Sequence, residues 1–412
     1  MVKISRYILV IIGVLAASIA IPELYWTIFE KASNTPAVYY SCTKDDYIVV
    51  RSGKNGAEFK DSKGTKYTVS EYEENLPMMF FRQLMSDGRM PDSINGVEMD
   101  PAVLNKAKSY LNFTPRDFRS PQPVLYPLLE SESGKVQLVM PDDYFRIDTR
   151  MEFIDAATNK VNEEKSERFT KALVDKNFAF PATITAGIPS VRKSCDDGYF
   201  IKDSRGDLFQ VKMVKGNPFV VRIEIPDSID IVYIECVDLR SREFYCYLFT
   251  RNSGIYVVLD EVYGLQRLPV DGFNPMVHNV KINCDLFNKT FALVGDDFIH
   301  VVTVDDGYNV VKTYDEKWRG KFERVDGKIF SCLFPFELQM QIPETRFVDF
   351  YFNVSPGYSW IVVNIIFSLL ALWLVYKRKG SVKTNIPDLL IILATGVFGF
   401  VATQFFPNKF YS

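Results

Sequence analysis

Histidine is almost absent from this chain, with two residues among 412, and cysteine is scarce, with six. No C-x-x-C pair occurs, which excludes zinc ribbons, thioredoxin-like redox motifs and attachment sites for c-type haem. The motifs of serine hydrolases, Walker A nucleotide binders, Rossmann folds and H-E-x-x-H metalloproteases are missing too. The sequence therefore predicts no catalytic residues and no cofactor.

A surplus of positive charge is also lacking, because 48 Lys and Arg face 51 Asp and Glu, a net charge of −3. Proteins that bind nucleic acid usually carry a basic surplus, so nucleic acid is excluded as a partner. Three aspartate pairs lie beside turn residues and do not match EF-hand spacing, so we interpret them as solvated turn carboxylates. These pairs are Asp196-Asp197, Asp296-Asp297 and Asp305-Asp306.

Long apolar runs are present at both ends, over Tyr7–Ile21, Trp360–Tyr376 and Leu389–Phe406. A helix needs about 20 apolar residues to cross a bilayer, and flanking aromatic residues extend the shorter runs. We therefore predict three transmembrane helices, one N-terminal and two C-terminal, in contact with lipid. Small or polar residues on these runs are candidates for packing between membrane helices, namely Gly13, Ala17, Asn364, Gly396 and Gly399.

The N-terminal run supports two interpretations. Ser18-Ile19-Ala20 is an acceptable small-x-small site for cleavage of a signal peptide. Apolar character resumes at Leu24-Tyr25-Trp26, however, as in an interfacial aromatic anchor. We favour an uncleaved anchor.

The basic loop at 377–385 indicates the orientation, because Lys and Arg concentrate on the cytoplasmic side of a membrane. The N-terminus should then be cytoplasmic and the long middle segment should lie outside the cytoplasm. The predicted organisation is an anchor over 1–30, an extracytoplasmic β-rich domain over 31–357, two membrane helices over 358–406 and an extracytoplasmic tail over 407–412.

The middle segment has the features of a mainly β fold, with aromatic residues making up 14% of the chain. Turn-bearing hairpins recur near Ala157, Ser204, Ser253 and Asp306, a spacing of roughly 50 residues that is typical of propeller blades. The turn at Lys60–Gly64 nearly duplicates the one at 202–206. We predict a propeller-like or partial-propeller domain, with another β fold as the alternative.

A helical insert interrupts this pattern at about 71–112. Glu71 to Met85 is predicted to be helical, with Pro77 opening or kinking the helix. Asp100-Pro101 is expected to begin a second helix that runs to about Leu111. Methionines cluster here, and Met78, Met79, Met85 and Met90 are weak candidates for binding Cu(I). The alternative is a core or partner-binding role, which is common for methionine.

Two cysteines are candidates for a disulfide. Cys236 and Cys246 lie equidistant from Ser241, so a hairpin that turns there would place them directly opposite each other. Small buried hydrophobic side chains are the alternative interpretation.

The chain resembles a family of uncharacterised membrane proteins from Bacteroides, chiefly known as a domain of unknown function. The stretches TPAVYYSCTKDDYIVV and LPMMFFRQLMSDGRMPDSINGVEMD carry the resemblance, together with the N-terminal anchor and the two C-terminal spans. It implies a periplasmic main domain and the bacterial inner membrane. Members are encoded near subunits of ABC transporters, some of the type linked to maturation of nitrous-oxide reductase, and no catalytic residues transfer from the family.

These observations favour a non-enzymatic, membrane-anchored periplasmic subunit or assembly partner of an inner-membrane complex, with an ABC-transporter permease as the expected partner. One alternative is an accessory protein for periplasmic copper handling. Another is an unrecognised periplasmic hydrolase, because propeller-like folds support many enzymes.

Overall fold

The computed structural model describes residues 2–29, 35–53, 56–120, 122–134, 137–252, 254–260, 262–341, 348–378 and 380–408. It divides into two compact units. The terminal unit comprises Met1–Asn34 and Lys317–Ser412, and the β unit comprises Thr35–Glu316. The domain boundary predicted near residue 357 falls inside the terminal unit.

The helices are α1 (Val2–Phe29), α2 (Val69–Asn75), α3 (Pro77–Ser86), α4 (Pro101–Ala107), α5 (Pro115–Arg119), α6 (Glu163–Asp175), α7 (Val325–Leu333), α8 (Trp360–Lys377), α9 (Val382–Thr395) and α10 (Val397–Phe405). The first strands are β1 (Ala37–Ser41), β2 (Asp46–Gly53), β3 (Gly56–Asp61), β4 (Lys66–Tyr67), β5 (Ser93–Ile94), β6 (Val97–Glu98), β7 (Ser109–Phe113), β8 (Asp143–Ile147), β9 (Met151–Asp155), β10 (Ile184–Gly187), β11 (Tyr199–Lys202) and β12 (Leu208–Val214). The remaining strands are β13 (Asn217–Ile223), β14 (Ile231–Cys236), β15 (Phe244–Thr250), β16 (Ile255–Leu259), β17 (Leu265–Arg267), β18 (Asn279–Cys284), β19 (Lys289–Val294), β20 (Phe298–Val304), β21 (Val310–Lys317), β22 (Phe336–Gln341) and β23 (Asp349–Val354).

The β unit consists mainly of four antiparallel sheets, each formed by four strands that are consecutive in sequence. The sheets are β1–β4, β10–β13, β14–β17 and β18–β21, and β7 joins the last beside β18. The second, third and fourth sheets share hydrophobic cores. Phe200 and Leu248 lie in the core between the second and third sheets, and Phe249 and Phe291 in the core between the third and fourth. The prediction of a mainly β domain is confirmed.

A recurring turn explains why the hairpins look alike in sequence. In the turns that begin at Asp61, Asp203 and Asp305, the first carboxylate accepts a hydrogen bond from the amide four residues ahead, at 2.8, 2.9 and 2.9 Å. An aspartate that bonds to the backbone in this way stabilises a tight turn between strands. The hairpins predicted near Ser204, Ser253 and Asp306 are confirmed, although Ser253 itself lies outside the described residues.

The turn predicted near Ala157 is present, but its second strand is reduced to a single antiparallel bridge between Ile154 and Val161. Strand β9 pairs antiparallel with the preceding strand, β8, and the chain then enters α6. Asn162 caps this helix by accepting from the amide of Lys165, and Phe169 and Leu173 are buried one turn apart. The helix was missed because its exposed face is rich in charged residues that resemble a loop.

The helical insert is present, and Pro77 divides its first helix as the sequence predicts. The helix predicted over 71–85 breaks at Leu76, because Pro77 begins a new helix there. Asp100 caps α4 as expected. That helix ends at Ala107 rather than near Leu111, because β7 is drawn into pairing with β18.

In the terminal unit, α1 and α8 are long and apolar enough to cross a membrane. The third predicted span, over Leu389–Phe406, is not one continuous helix. The chain reverses at Gly396, so that α9 and α10 form an antiparallel helical hairpin. At its open end the Nδ2 atom of Asn408 donates to the carbonyl of Thr384, at 3.0 Å.

The hairpin bears on the predicted position of the tail, on the side of the membrane opposite to the basic loop, and that topology stays a prediction. Residues 407 and 408 return to the end of the helix group at which α9 begins. Residues 409–412, and Lys379 of the loop, lie outside the described residues.

Gly396 permits the reversal because its φ is +60° and its ψ is −128°, a conformation that side chains strongly disfavour. A Cβ atom at this position would also collide with the side-chain oxygen of Asn364. The Nδ2 atom of Asn364 donates to the carbonyl of Leu393 at 3.0 Å, which satisfies a carbonyl near the end of α9.

We predict that Gly396→Ala destabilises the terminal unit by about 1–3 kcal/mol, from backbone strain alone. Thermal unfolding of the detergent-solubilised protein measures this loss. Gly380→Ala is the matched control, because a Cβ there meets Val375 at an ordinary 3.4 Å. Equal melting temperatures for the two variants would contradict the helical hairpin.

Candidate functional site: an ionic cleft and a helix junction

The β unit contains an open polar cleft of about 1080 Å³, which we call the ionic cleft. Loops and strand ends of the second and third sheets form its walls. Among the described residues its charged lining consists of five bases and three acids: Arg192, Lys193, Lys212, Lys215, Arg242, Glu132, Asp196 and Asp197.

A buried ion pair forms one wall of the ionic cleft. Lys193 and Asp196 contact each other with side chains that are only 3% and 1% exposed. The Lys193 ammonium also donates to the carbonyl of Ile188 at 2.8 Å, and the Ser131 hydroxyl donates to Asp196 at 2.6 Å. Asp196 is therefore a buried, fully bonded carboxylate, and its interpretation as a solvated turn residue is wrong.

Arg242 links the two sheets across the cleft. Its guanidinium lies 3.2 Å from a carboxylate oxygen of Asp197 and 3.3 Å from one of Asp260. The Cys195 thiol donates to the other oxygen of Asp197 at 3.4 Å. Burial, reinforced by the charge of Asp197, raises the pKa of Cys195 and keeps it a thiol rather than a nucleophilic thiolate.

The charges of the ionic cleft suit binding rather than bond cleavage. Its bases outnumber its acids, although the whole chain is acidic. Arg192 is exposed at the rim, and the Lys212 ammonium lies 4.9 Å from the centre of the Phe219 ring. A basic cleft on an acidic protein attracts anionic groups selectively.

The terminal unit contains a second concentration of charge, which we call the helix junction. Arg6 of α1 and Asp388 of α9 form a bidentate ion pair at 2.9 and 2.6 Å, and their side chains are 9% and 10% exposed. The Arg6 Nε atom also donates to the carbonyl of Phe406 at 2.9 Å. The sequence contained the signal, a lone arginine and a lone acid beside apolar runs, but the pairing was not predicted.

The five residues predicted to pack between membrane helices lie in α1, α8 and α10 and at the reversal between α9 and α10. A side chain at Gly13 would meet Ala402 at 3.2 Å, and Ala17 packs in the hydrophobic cluster that contains Ala402. Gly399 lies tightly against the backbone of α9, and Gly396 and Asn364 meet at the reversal. Within the described residues these contacts join helices of the same chain.

The methionines of the insert lie in two separate hydrophobic clusters. Met78, Met85 and Met90 pack in a cluster with Phe81, whereas Met79 packs in another. The four side chains therefore do not share one hydrophobic cluster, and Cu(I) binding stays a prediction. Among the described residues there is no set of three His, Cys, Asp or Glu side chains arranged to hold a metal ion.

Cys236 and Cys246 are directly opposite in the β14–β15 pairing, as the sequence predicts. Both are free thiols in this structure. Burial, and next the neighbouring Cys236 thiol, raise the pKa of Cys246. The disulfide stays a prediction.

The histidines lie apart from both sites. The Nδ1 atom of His278 accepts from the amide of Asn274 at 3.1 Å, and that of His300 lies 2.6 Å from Asp315.

Comparison with known proteins identifies one family. The model of a domain of unknown function, DUF4857, matches residues 37–304. No curated protein matches the chain.

Two solved structures show a limited similarity, each with 10% sequence identity. PorZ, a surface component of the type-IX secretion system of Porphyromonas gingivalis, has a TM-score of 0.22, and the match covers 76% of this chain and 38% of PorZ. NirN, a dihydro-heme d1 dehydrogenase, has a TM-score of 0.23, with 63% and 60% covered. The chain therefore spans less than two thirds of either protein.

We predict that Arg6→Leu and Asp388→Leu each destabilise the protein by about 3–5 kcal/mol, because each leaves a buried charge without its partner. The double variant should recover much of this loss, since both charges are then removed. Thermal unfolding in detergent measures all three, with Lys383→Leu, an exposed residue of α9, as the control. Strictly additive losses would show that the two side chains do not interact.

Proposed function

The chain belongs to the DUF4857 family of domains of unknown function, and we propose that this member is a non-enzymatic, membrane-anchored accessory protein of a bacterial inner-membrane complex. An ABC transporter is the expected complex, and the ionic cleft is the surface that engages it. The carrying observation is that Lys193 and Arg242 of this cleft are held in ion pairs with Asp196 and Asp197, with Cys195 kept as a protonated thiol. Such an arrangement recognises charge and does not activate a nucleophile.

The β unit serves in this proposal as a rigid, propeller-like binding domain. Four sheets of consecutive strands support this architecture, and the second, third and fourth of them share cores in chain order. The first and last sheets are also joined, because the Tyr47 hydroxyl donates to the carbonyl of Lys312 at 2.7 Å. Propellers commonly present binding residues on loops at one face.

The proposal includes an uncleaved N-terminal anchor. Helix α1 continues through the Ser18-Ile19-Ala20 segment without a break. Near its end the Tyr25 hydroxyl donates to the carbonyl of Asp326 at 2.7 Å, and Trp26 stacks on Phe330 with ring centroids 4.6 Å apart. Cleavage would remove Arg6 and leave the buried Asp388 without its partner.

The proposed orientation follows from the basic loop. The Arg6 end of α1, the start of α9 and Asn408 meet at one end of the helix group. Lys377 and Lys383 flank the loop that leads into α9, so this end is assigned to the cytoplasm. The β unit is then periplasmic, and α9–α10 enters the membrane and returns to the same side.

We predict that alkaline phosphatase is active when it is inserted after Gly254 and inactive when it is fused after Gly380 or Ser412. Green fluorescent protein fused after Ser412 should fluoresce, because it folds in the cytoplasm. An active phosphatase after Ser412 would contradict the returning hairpin. Activity after Gly380 with silence after Gly254 would overturn the orientation and the proposed function together.

The partner is tested by affinity purification in mild detergent with mass spectrometry. The wild-type chain should retain an integral inner-membrane protein, and Arg192→Glu combined with Lys212→Glu should reduce its recovery about five- to tenfold, the effect of about 1 kcal/mol or slightly more. Arg251→Glu is the matched control, because Arg251 is 71% exposed and lies outside the lining of the cleft.

If the wild-type chain is recovered without any membrane partner, the proposal of an accessory protein is wrong. Equal recovery by the cleft variant and the control would show that the partner binds elsewhere on the protein.

A further inference from the structure

The β22–β23 hairpin of the terminal unit has one apolar face. Side chains alternate across a strand, so cross-strand partners share a face. Three of the six cross-strand pairs are entirely apolar and fall on the same side, which we call the ribbon face. They are Phe336–Val354, Leu338–Phe352 and Met340–Phe350.

The opposite side of the hairpin is polar and internally bonded. Gln339 donates to Glu337 at 2.7 Å, and Asn353 donates to the same carboxylate at 3.4 Å. Tyr351 is the cross-strand partner of Gln339 on this side. The hairpin is therefore amphipathic, with one apolar face and one polar face.

The ribbon face is largely uncovered by the rest of the terminal unit. Met340 is 49% exposed, Phe350 57%, Phe352 62% and Val354 64%. A two-stranded ribbon is only marginally stable by itself and needs a hydrophobic surface against which to pack. Contiguous exposed apolar side chains of this kind mark contact with a protein or a membrane.

The position of the hairpin favours a membrane. The Phe336 ring lies 5.3 Å from that of Phe398 in α10, which places the base of the ribbon face beside the reversal of the helical hairpin. The chain leaves β23 at Val354 and enters α8 at Trp360, with Tyr358 81% exposed between them. Aromatic residues at the end of an apolar helix are typical of the membrane–water interface.

The chemistry of the ribbon face agrees with this position. It contains three phenylalanines and no charged side chain. It is also continuous along the chain with α8, whose Val362 and Ile366 are 61% and 56% exposed. Apolar and aromatic side chains partition into the region between headgroups and acyl chains.

We propose that the ribbon face lies against the lipid of the outer surface of the membrane, so that the β22–β23 hairpin is an interfacial element of the anchor. This inference rests on the membrane anchoring of the proposed function. The ligand is the bilayer itself, and the specific contact is between the phenylalanines and the upper acyl chains. The hairpin thereby extends the lipid-contacting surface beyond α1 and α8.

Fluorescence quenching in lipid nanodiscs tests the proposal on the full-length chain. A tryptophan is introduced by Phe352→Trp on the ribbon face and by Tyr351→Trp on the polar face as the matched control. Val354→Trp serves as a second ribbon-face variant if the first does not fold. The wild-type protein, which has four tryptophans, supplies the background to subtract.

The emission added by Phe352→Trp should be blue-shifted and lost in nanodiscs of phosphatidylcholine brominated on the upper part of its acyl chains. The emission added by Tyr351→Trp should persist there and be quenched by acrylamide in the aqueous phase. If acrylamide alone quenches the tryptophan at position 352, the inference is wrong. If neither acrylamide nor brominated lipid quenches it, the inference is also wrong, and the ribbon face is covered by protein.

Trp373 of α8, which is 53% exposed, separates this result from a failure of anchoring. The emission difference between the wild type and Trp373→Phe should be lost in brominated lipid. If brominated lipid quenches Trp373 but not the tryptophan at position 352, only the inference about the ribbon face is wrong. If neither is lost, the anchoring itself is wrong.

Discussion

The ion pair between Arg6 and Asp388 is the constraint on which the terminal unit depends. Two charges in an apolar environment are tolerated only if they are paired and their remaining hydrogen-bonding atoms are satisfied. Both guanidinium Nη atoms meet the carboxylate, and Nε is satisfied by the carbonyl of Phe406. The start of α1, the start of α9 and the end of α10 must therefore lie together, which is compatible with α9–α10 only as a hairpin.

The reversal at Gly396 is the second constraint on the terminal unit. Interrupting a helix releases backbone groups that must find partners, above all where water is excluded. The Asn364 amide supplies one partner by donating to the carbonyl of Leu393, and the small Gly399 allows α10 to approach α9 closely. The polar and small residues of these apolar runs thus stabilise the fold of the chain itself.

The β unit uses charge differently. Turn aspartates such as Asp61 and Asp203 bond to local amides and shape hairpins, whereas Asp196 is buried against Lys193. Because this pair and the bonds of Arg242 are rigidly held, the ionic cleft is preorganised, with its bases in the majority. Preorganised charge suits recognition of an anionic partner.

Sequence by itself determined the features that depend on neighbours in the chain. Alternating strands, turn aspartates, the cap at Asp100, the opposition of Cys236 and Cys246, and the apolar character of both chain ends all follow from local spacing. Tertiary structure decided the rest, because the interactions responsible join residues far apart in the chain. Apolar length alone indicated a third span at Leu389–Phe406, but the pairing of Arg6 with Asp388 and the conformation of Gly396 fold it back. Tertiary packing likewise placed Met78 and Met79 in different hydrophobic clusters. It also buried Asp196 against Lys193 beside the ionic cleft, because burial depends on which sheets pack together.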